Sequence, residues 1–158
     1  MAEEKTNVMR ILDKEKISYI AHQYPHGKEA VDGVTVAKLL NQNPAQVFKT
    51  LVTKGTGRDY FVFVIPVEKE LNLKKAAKAV GEKSVEMIPV KVIKDVTGYI
   101  RGGCTPIGMK KQFPTFIQKE ALDYEQIYIS GGKLGTTLKL SPKDVEKVTR
   151  AQFVDFIK

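Results

Sequence analysis

The spacing of apolar positions changes repeatedly along this chain, and each change marks an element. "TNVMRILDKEK" sets Val8, Ile11, Leu12 and Glu15 at helical intervals, with Thr6 as N-cap. "ISYIAHQY" alternates and predicts a strand, and "GVTVAKLLN" a short helix ending at Asn41. "NPAQ" is a turn, because Pro44 restricts the residue before it. "VFKTLVTK", "GTGR" and "DYFVFVIPV" then read as strand, turn and antiparallel partner. "NLKKAAKAVG" is the clearest helix: Asn72 caps it, Leu73, Ala76, Ala77 and Val80 form its apolar stripe, and Gly81 stops it. "SVEMIP" predicts a short strand and "PVKVIKDVTG" a helix from Pro89 to Gly98. "TFIQ", "QIYISGG" and "TTLKLS" predict further strands. "SPKDVEKVTR" predicts a last helix, with Pro142 in its first position and a capping box from Ser141 to Asp144.

Strands and helices are mixed irregularly, with hairpin-type connections. That pattern argues for an α+β fold and against a doubly wound parallel sheet. No repeat, low-complexity tract or linker interrupts the 158 residues, so a single domain over 1–158 is expected. The chain is 42% hydrophobic and long enough to bury a core without staples. One cysteine cannot form an internal disulfide, which points to a reducing compartment. No apolar run approaches the ~20 residues of a membrane span, and the acidic start "MAEEKTNVMR" is no signal peptide. A soluble cytoplasmic protein, without membrane contact, is the expectation.

Charge sharpens the picture. Net charge is +8, and residues 69–111 carry ten Lys/Arg against four Asp/Glu, so +6 of it sits there. A concentrated basic segment fits a polyanion partner, and it also fits a solvated lysine-rich surface.

The usual catalytic signatures are missing. There is no Rossmann fingerprint and no P-loop. His22 and His26 are the only histidines and lie far from Cys104, so a metal site of three or four ligands is not expected. His22 reads as a strand-face residue and His26 as a loop residue. Cys104 has Arg101, Lys110 and Lys111 near it in sequence but no histidine. It reads as a small buried side chain in a glycine-rich bend rather than as a nucleophile. What remains is backbone. Gly102 and Gly103, and Gly131 and Gly132 after Ser130, let peptide N–H groups approach a ligand and hold an oxyanion or a phosphate. Lys49, in "QVFKTLV", shares a strand face with Val47 and Leu51, which suits either a strand edge or a lysine turned into a pocket.

"QVFKTLV", "IPVEKELNLKKAAKAVGEKSVEM", "TGYIRGGCTPIGMKK", "PTFI" and "IYISGGKLG" follow one another in an order and spacing that closely resemble the YbaK family of free-standing aminoacyl-tRNA deacylases. That family is similar to the editing domain inserted in bacterial prolyl-tRNA synthetases. The resemblance runs from about Thr6 to about Arg150. It implies an α+β fold with a mixed, mostly antiparallel, partly barrel-like sheet and surrounding helices. It also implies removal of a wrong amino acid from tRNA without a cofactor or metal. Cysteine on proline tRNA is the best-known substrate, and a transient complex with prolyl-tRNA synthetase is implied as well.

Carried onto this sequence, the resemblance makes Lys49 the essential strand lysine, Thr50 its neighbour, and Tyr24 a pocket tyrosine. It makes Gly102 the glycine whose N–H meets the substrate carbonyl, with Gly103 beside it, and Ser130 a pocket serine. Lys74, Lys75, Lys78, Lys110 and Lys111 would meet the phosphates of the acceptor stem and 3′ end. The sequence departs from the cysteine-specific pattern at Thr137, where such relatives can carry Asp, and near Asp32, where some members carry Phe. In the family mechanism the thiol of the mischarged cysteine attacks its own carbonyl, giving a cyclic thioester and free tRNA. Cys104 would then be structural. The competing readings are a non-catalytic tRNA- or nucleotide-binding module of the same fold, and a deacylase for another amino acid such as alanine.

Overall fold

The computed structural model describes residues 5–25, 27 and 32–158. His26 and most of the loop before Asp32 lie outside the described residues. The elements are α1 (Asn7–Lys14), β1 (Ile20–Gln23), α2 (Gly33–Leu39), β2 (Phe48–Gly55), β3 (Tyr60–Pro66), α3 (Leu73–Val80), β4 (Val85–Met87), α4 (Ile93–Thr97), β5 (Thr115–Gln118), β6 (Ile127–Ser130), β7 (Thr136–Leu140), α5 (Pro142–Thr149) and β8 (Gln152–Val154).

Local signals place most of these elements. The Thr6 hydroxyl accepts the Met9 N–H at 3.2 Å, and the Asn72 amide oxygen accepts from Lys74 and Lys75. Gly81 ends α3 at φ +74° and Gly98 ends α4 at φ +89°, in the left-handed region where a side chain is strained. At α5 the expected capping box does not form. The Ser141 hydroxyl accepts from Lys143, and Asp144 gives its N–H to the Ser141 carbonyl. The helix expected from Pro89 to Gly98 is split into a 3₁₀ turn, Val90–Val92, and the single α-turn of α4.

Two sheets result, a five-stranded one in the order β4-β2-β3-β5-β8 and a three-stranded one in the order β1-β7-β6. Four of the six strand pairs are antiparallel; β3–β5 and β5–β8 are parallel. The sheets do not close into a barrel and are linked by one parallel bridge, Val47–Tyr128.

β3 is apolar throughout because both of its faces are covered. Phe61, Phe63 and Ile65 pack under Ala76 and Ala77 of α3, with Phe116 and Phe156. Val62 and Val64 face the larger cluster of Val8, Leu12, Ile117, Ile129 and Leu138. Leu73, expected in the α3 stripe, is exposed, since the packing is made by the alanines. The C-terminal segment is tied down through fully buried Gln118. Its amide accepts the Phe156 N–H at 2.9 Å and donates to Asp155 at 2.9 Å.

Candidate functional site

The bridge between the sheets also borders a cleft. β2 and β6 meet at Val47–Tyr128. Just beyond it, a cleft of about 110 Å³ is lined by Phe48, Lys49 and Thr50 on one side and by Ile129 and Ser130 on the other. Tyr24, Val67, Gly102, Cys104 and Thr137 complete much of the wall. Tyr24, Lys49, Thr50, Gly102 and Ser130, separated by up to 106 positions in sequence, are therefore gathered at one place. β3 holds this part of β2 from one edge only (Lys49 opposite Ile65, Thr50 opposite Val64), which leaves the other edge open to the cleft.

Gly102 occupies a tight turn. The Gly103 N–H donates to the Ile100 carbonyl at 3.0 Å, closing a four-residue loop. Gly102 stands at its third position with φ +87°, while Arg101 before it keeps an ordinary φ, which is the type II pattern. The Gly102 N–H has no acceptor among the described residues, and Gly102 lines the cleft. Gly103 differs. It is buried, its N–H is committed to the turn, and a Cβ there would stand 3.1 Å from the Lys133 Cα. It supports the wall and does not line the cleft.

Ser130 and Thr137 are register partners on β6 and β7, and His22 on β1 is opposite Thr137, so all three share a sheet face. The Ser130 hydroxyl accepts the Gly132 N–H at 3.2 Å, which leaves its own hydrogen free to donate into the cleft. The His22 Nε2 is buried and has no partner among the described residues; its ring leans on Tyr128 at 5.7 Å. Partial burial lowers the Lys49 pKa, and the nearby Glu70 carboxylate works in the opposite direction. Cys104 lines the cleft, but burial pushes its thiol pKa up to about 11, against weaker opposing hydrogen bonds from Thr97 and Thr105. That is the reverse of an activated nucleophile. Among the described residues no cluster of three His, Cys, Asp or Glu could hold a metal ion.

None of the five expected RNA-binding lysines lines the cleft. Lys74 and Lys78 are exposed on α3, with no side-chain partner among the described residues. Lys75 is engaged, bonding the Asp155 carboxylate at 3.1 Å and the Ile157 carbonyl at 3.0 Å. Lys110 lies along Gly98 and reaches the Asp95 carbonyl, and Lys111 borders a different cleft beside Arg58 and Tyr60. The sequence reading missed the apolar lining residues Val36, Val67 and Ile129, which are spaced like any core residue.

Comparison with known proteins agrees with this architecture. Residues 28–148 match the model of the aminoacyl-tRNA editing domain. An Enterococcus faecalis protein provisionally named Cys-tRNA(Pro)/Cys-tRNA(Cys) deacylase EbsC is 43% identical over 153 residues, 97% of this chain and 93% of that protein. A proline–tRNA ligase of Brachyspira hyodysenteriae is 26% identical over 102 residues, covering 65% of this chain and 18% of the ligase. A solved structure provisionally described as a trans-editing enzyme for prolyl tRNA synthetase superposes with a TM-score of 0.81 at 20% identity, covering 98% of this chain and 99% of that one. The hypothetical protein APE2540 superposes at 0.86 with 21% identity over 97% and 100% of the two chains. At these identities the two structures bear on fold alone.

Proposed function

Given that the chain belongs to the aminoacyl-tRNA editing family, we propose that it deacylates mischarged tRNA in trans, with cysteinyl-tRNA(Pro) as principal substrate and cysteinyl-tRNA(Cys) as a second. One observation carries the reading of mechanism. The cleft offers free hydrogen-bond donors at Gly102 and Ser130, while its only thiol is held far from ionisation.

Such a site suits a substrate that brings its own nucleophile. The sulfur of the cysteinyl group attacks the carbonyl carbon to which it is tethered. The thiol first loses its proton to water; the thiolate then forms the C–S bond, the ester C–O bond breaks, and water returns a proton to the departing ribose oxygen. The product is a four-membered cyclic thioester, which water then opens to free cysteine. The protein supplies orientation and stabilises the oxyanion as it develops. In this scheme Gly102 N–H contacts the oxyanion, Ser130 donates to the same region, and Lys49 contributes positive charge at the mouth. Tyr24, Thr50 and Thr137 enclose the small aminoacyl group. Gly103 and Cys104 are structural.

Phosphate contacts would hold the macromolecule. Lys74 and Lys78 serve on α3, whereas Lys75 is committed to the C-terminal segment. A transient complex with prolyl-tRNA synthetase would supply tRNA selection that such contacts lack. The reading places one cofactor-free domain in the cytoplasm; among the described residues no helix is long and apolar enough to cross a membrane. The test is deacylation of proline tRNA charged with cysteine, alanine or proline. Rapid release of cysteine alone is expected. Release of alanine in preference to cysteine would refute the substrate assignment, and no release would refute the activity.

A further inference from the structure

A second cleft, of about 300 Å³, lies behind the loop that follows Ser130. It is lined by Lys5, Thr6, Asn7, Tyr99, Gly132 and Lys133. Two separate stretches of chain pass from the first cleft to this one. Ser130 faces the first, and Gly132 and Lys133 face the second. Likewise Gly102 faces the first, and Tyr99, three residues earlier, faces the second. The stretches touch where Gly103 lies on the Lys133 backbone. The two clefts therefore adjoin across these two stretches of main chain.

The wall is closely packed. Gly132 has φ +99°, and a Cβ there would stand 3.0 Å from Val8 Cγ2 and 3.4 Å from Tyr99 Cε1, so a larger residue would push α1 and Tyr99 away. Tyr99 is fixed from behind, donating its hydroxyl to the Ile107 carbonyl at 2.6 Å. Charge distinguishes this cleft from the one beside Lys111, where Arg58 and Lys111 are balanced by Asp59 and Asp95. Among the described residues, the lining of the cleft behind Ser130 has two lysines and no carboxylate. Lys5 is paired with Asp13 at 2.5 Å, but the exposed Lys133 ammonium has no partner among the described residues.

We propose that this cleft seats backbone phosphates of the single-stranded 3′ end of tRNA, with Lys133 as the contacting cation, and so positions the ester in the first cleft. The inference rests on the deacylase reading. An ester held between Gly102 and Ser130 leaves its ribose at the mouth of the first cleft, and the phosphates that precede it run over the adjoining surface. A cationic recess bordered by the same two stretches of chain is placed to meet them within the first nucleotides. Lys133 is thus a positioning residue that never touches the reacting atoms.

The test pairs two substrates, cysteinyl-tRNA(Pro) and the cysteinyl ester of adenosine, which has no phosphate. For Lys133→Glu the KM for the tRNA should rise about fivefold to tenfold at low salt with kcat unchanged. The slope of log(kcat/KM) against log salt should become shallower by about 0.7, the value of one single-strand phosphate contact. The adenosine ester should be cleaved as by the wild type, and Lys133→Arg should restore the tRNA parameters. An unchanged salt slope overturns the proposal, as does equal loss on both substrates, which would mean that the side chain acts through the wall. If the wild type cleaves neither ester, the deacylase reading fails first and this proposal with it.

Discussion

Replacing Gly102 by alanine separates backbone chemistry from side-chain chemistry. At φ +87° an L-residue is strained by about 1–2 kcal/mol. For a chain of 158 residues each kcal/mol lowers Tm by about 2–4 °C, so a fall of about 2–8 °C is expected and the protein should stay folded at 25 °C. Activity should suffer far more. Relief of the strain rotates the peptide that carries the free N–H, and loss of one oxyanion donor is worth about 10²–10³ in kcat. Gly103→Ala is the control. Its Cβ would meet the Lys133 Cα at 3.1 Å, so stability should also drop, yet its N–H is already committed to Ile100 and no donor is lost. Single-turnover release of cysteine from cysteinyl-tRNA(Pro), alongside thermal melts, reads both quantities. Gly102→Ala should lose at least tenfold more rate than Gly103→Ala at similar Tm. Folded Gly102→Ala with kcat within twofold of wild type would refute a catalytic role for this amide.

Lys49→Ala should leave the melt almost unchanged, because the side chain is only partly buried, and reduce kcat about a hundredfold or more; near-wild-type turnover would remove Lys49 from the site. Reversing Lys74 and Lys78 to Glu should raise the Kd for tRNA and flatten its salt dependence; an unchanged slope would mean that α3 faces away from the RNA. Gln118→Leu strands the buried Phe156 N–H and should cost about 1–3 kcal/mol by denaturant titration, with the C-terminal segment losing protection from amide exchange. A neutral result would show that the Gln118 link is not what holds that segment.

Much of the fold was legible because its signals are local. Thr6, Asn72, Gly81 and Gly98 act within one helical turn, and the β2–β3 hairpin is read from two apolar runs about a four-residue turn. What was not legible depends on partners distant in sequence. The parallel pairing of Val62–Val64 with Thr115–Ile117 spans some fifty residues, and the three-residue β8 has too little pattern to announce itself. The same limit shaped the site. The type and order of Lys49, Gly102 and Ser130 carried the family resemblance, but only the turn geometry shows that the Gly103 amide is spent while that of Gly102 is free. Lys75 looked equivalent to Lys74 and Lys78 because nothing nearby in sequence announces Asp155, eighty residues away.

Whether the attacking thiol belongs to the substrate can be read from the pH–rate profile of Cys104→Ser. With a pKa of about 11, Cys104 would be ionised in about one molecule in ten thousand at pH 7. A substrate thiol near the ordinary value of about 8.5 would be ionised in a few per cent. Below the pKa of the attacking thiol the rate rises with pH, and above it the rate levels off. With a substrate thiol as nucleophile, folded Cys104→Ser should retain most of the wild-type rate on cysteinyl-tRNA(Pro), and both proteins should show a profile bending near pH 8.5. A folded Cys104→Ser protein that binds tRNA and releases no cysteine would contradict a substrate nucleophile, as would a wild-type profile still climbing tenfold per unit beyond pH 9.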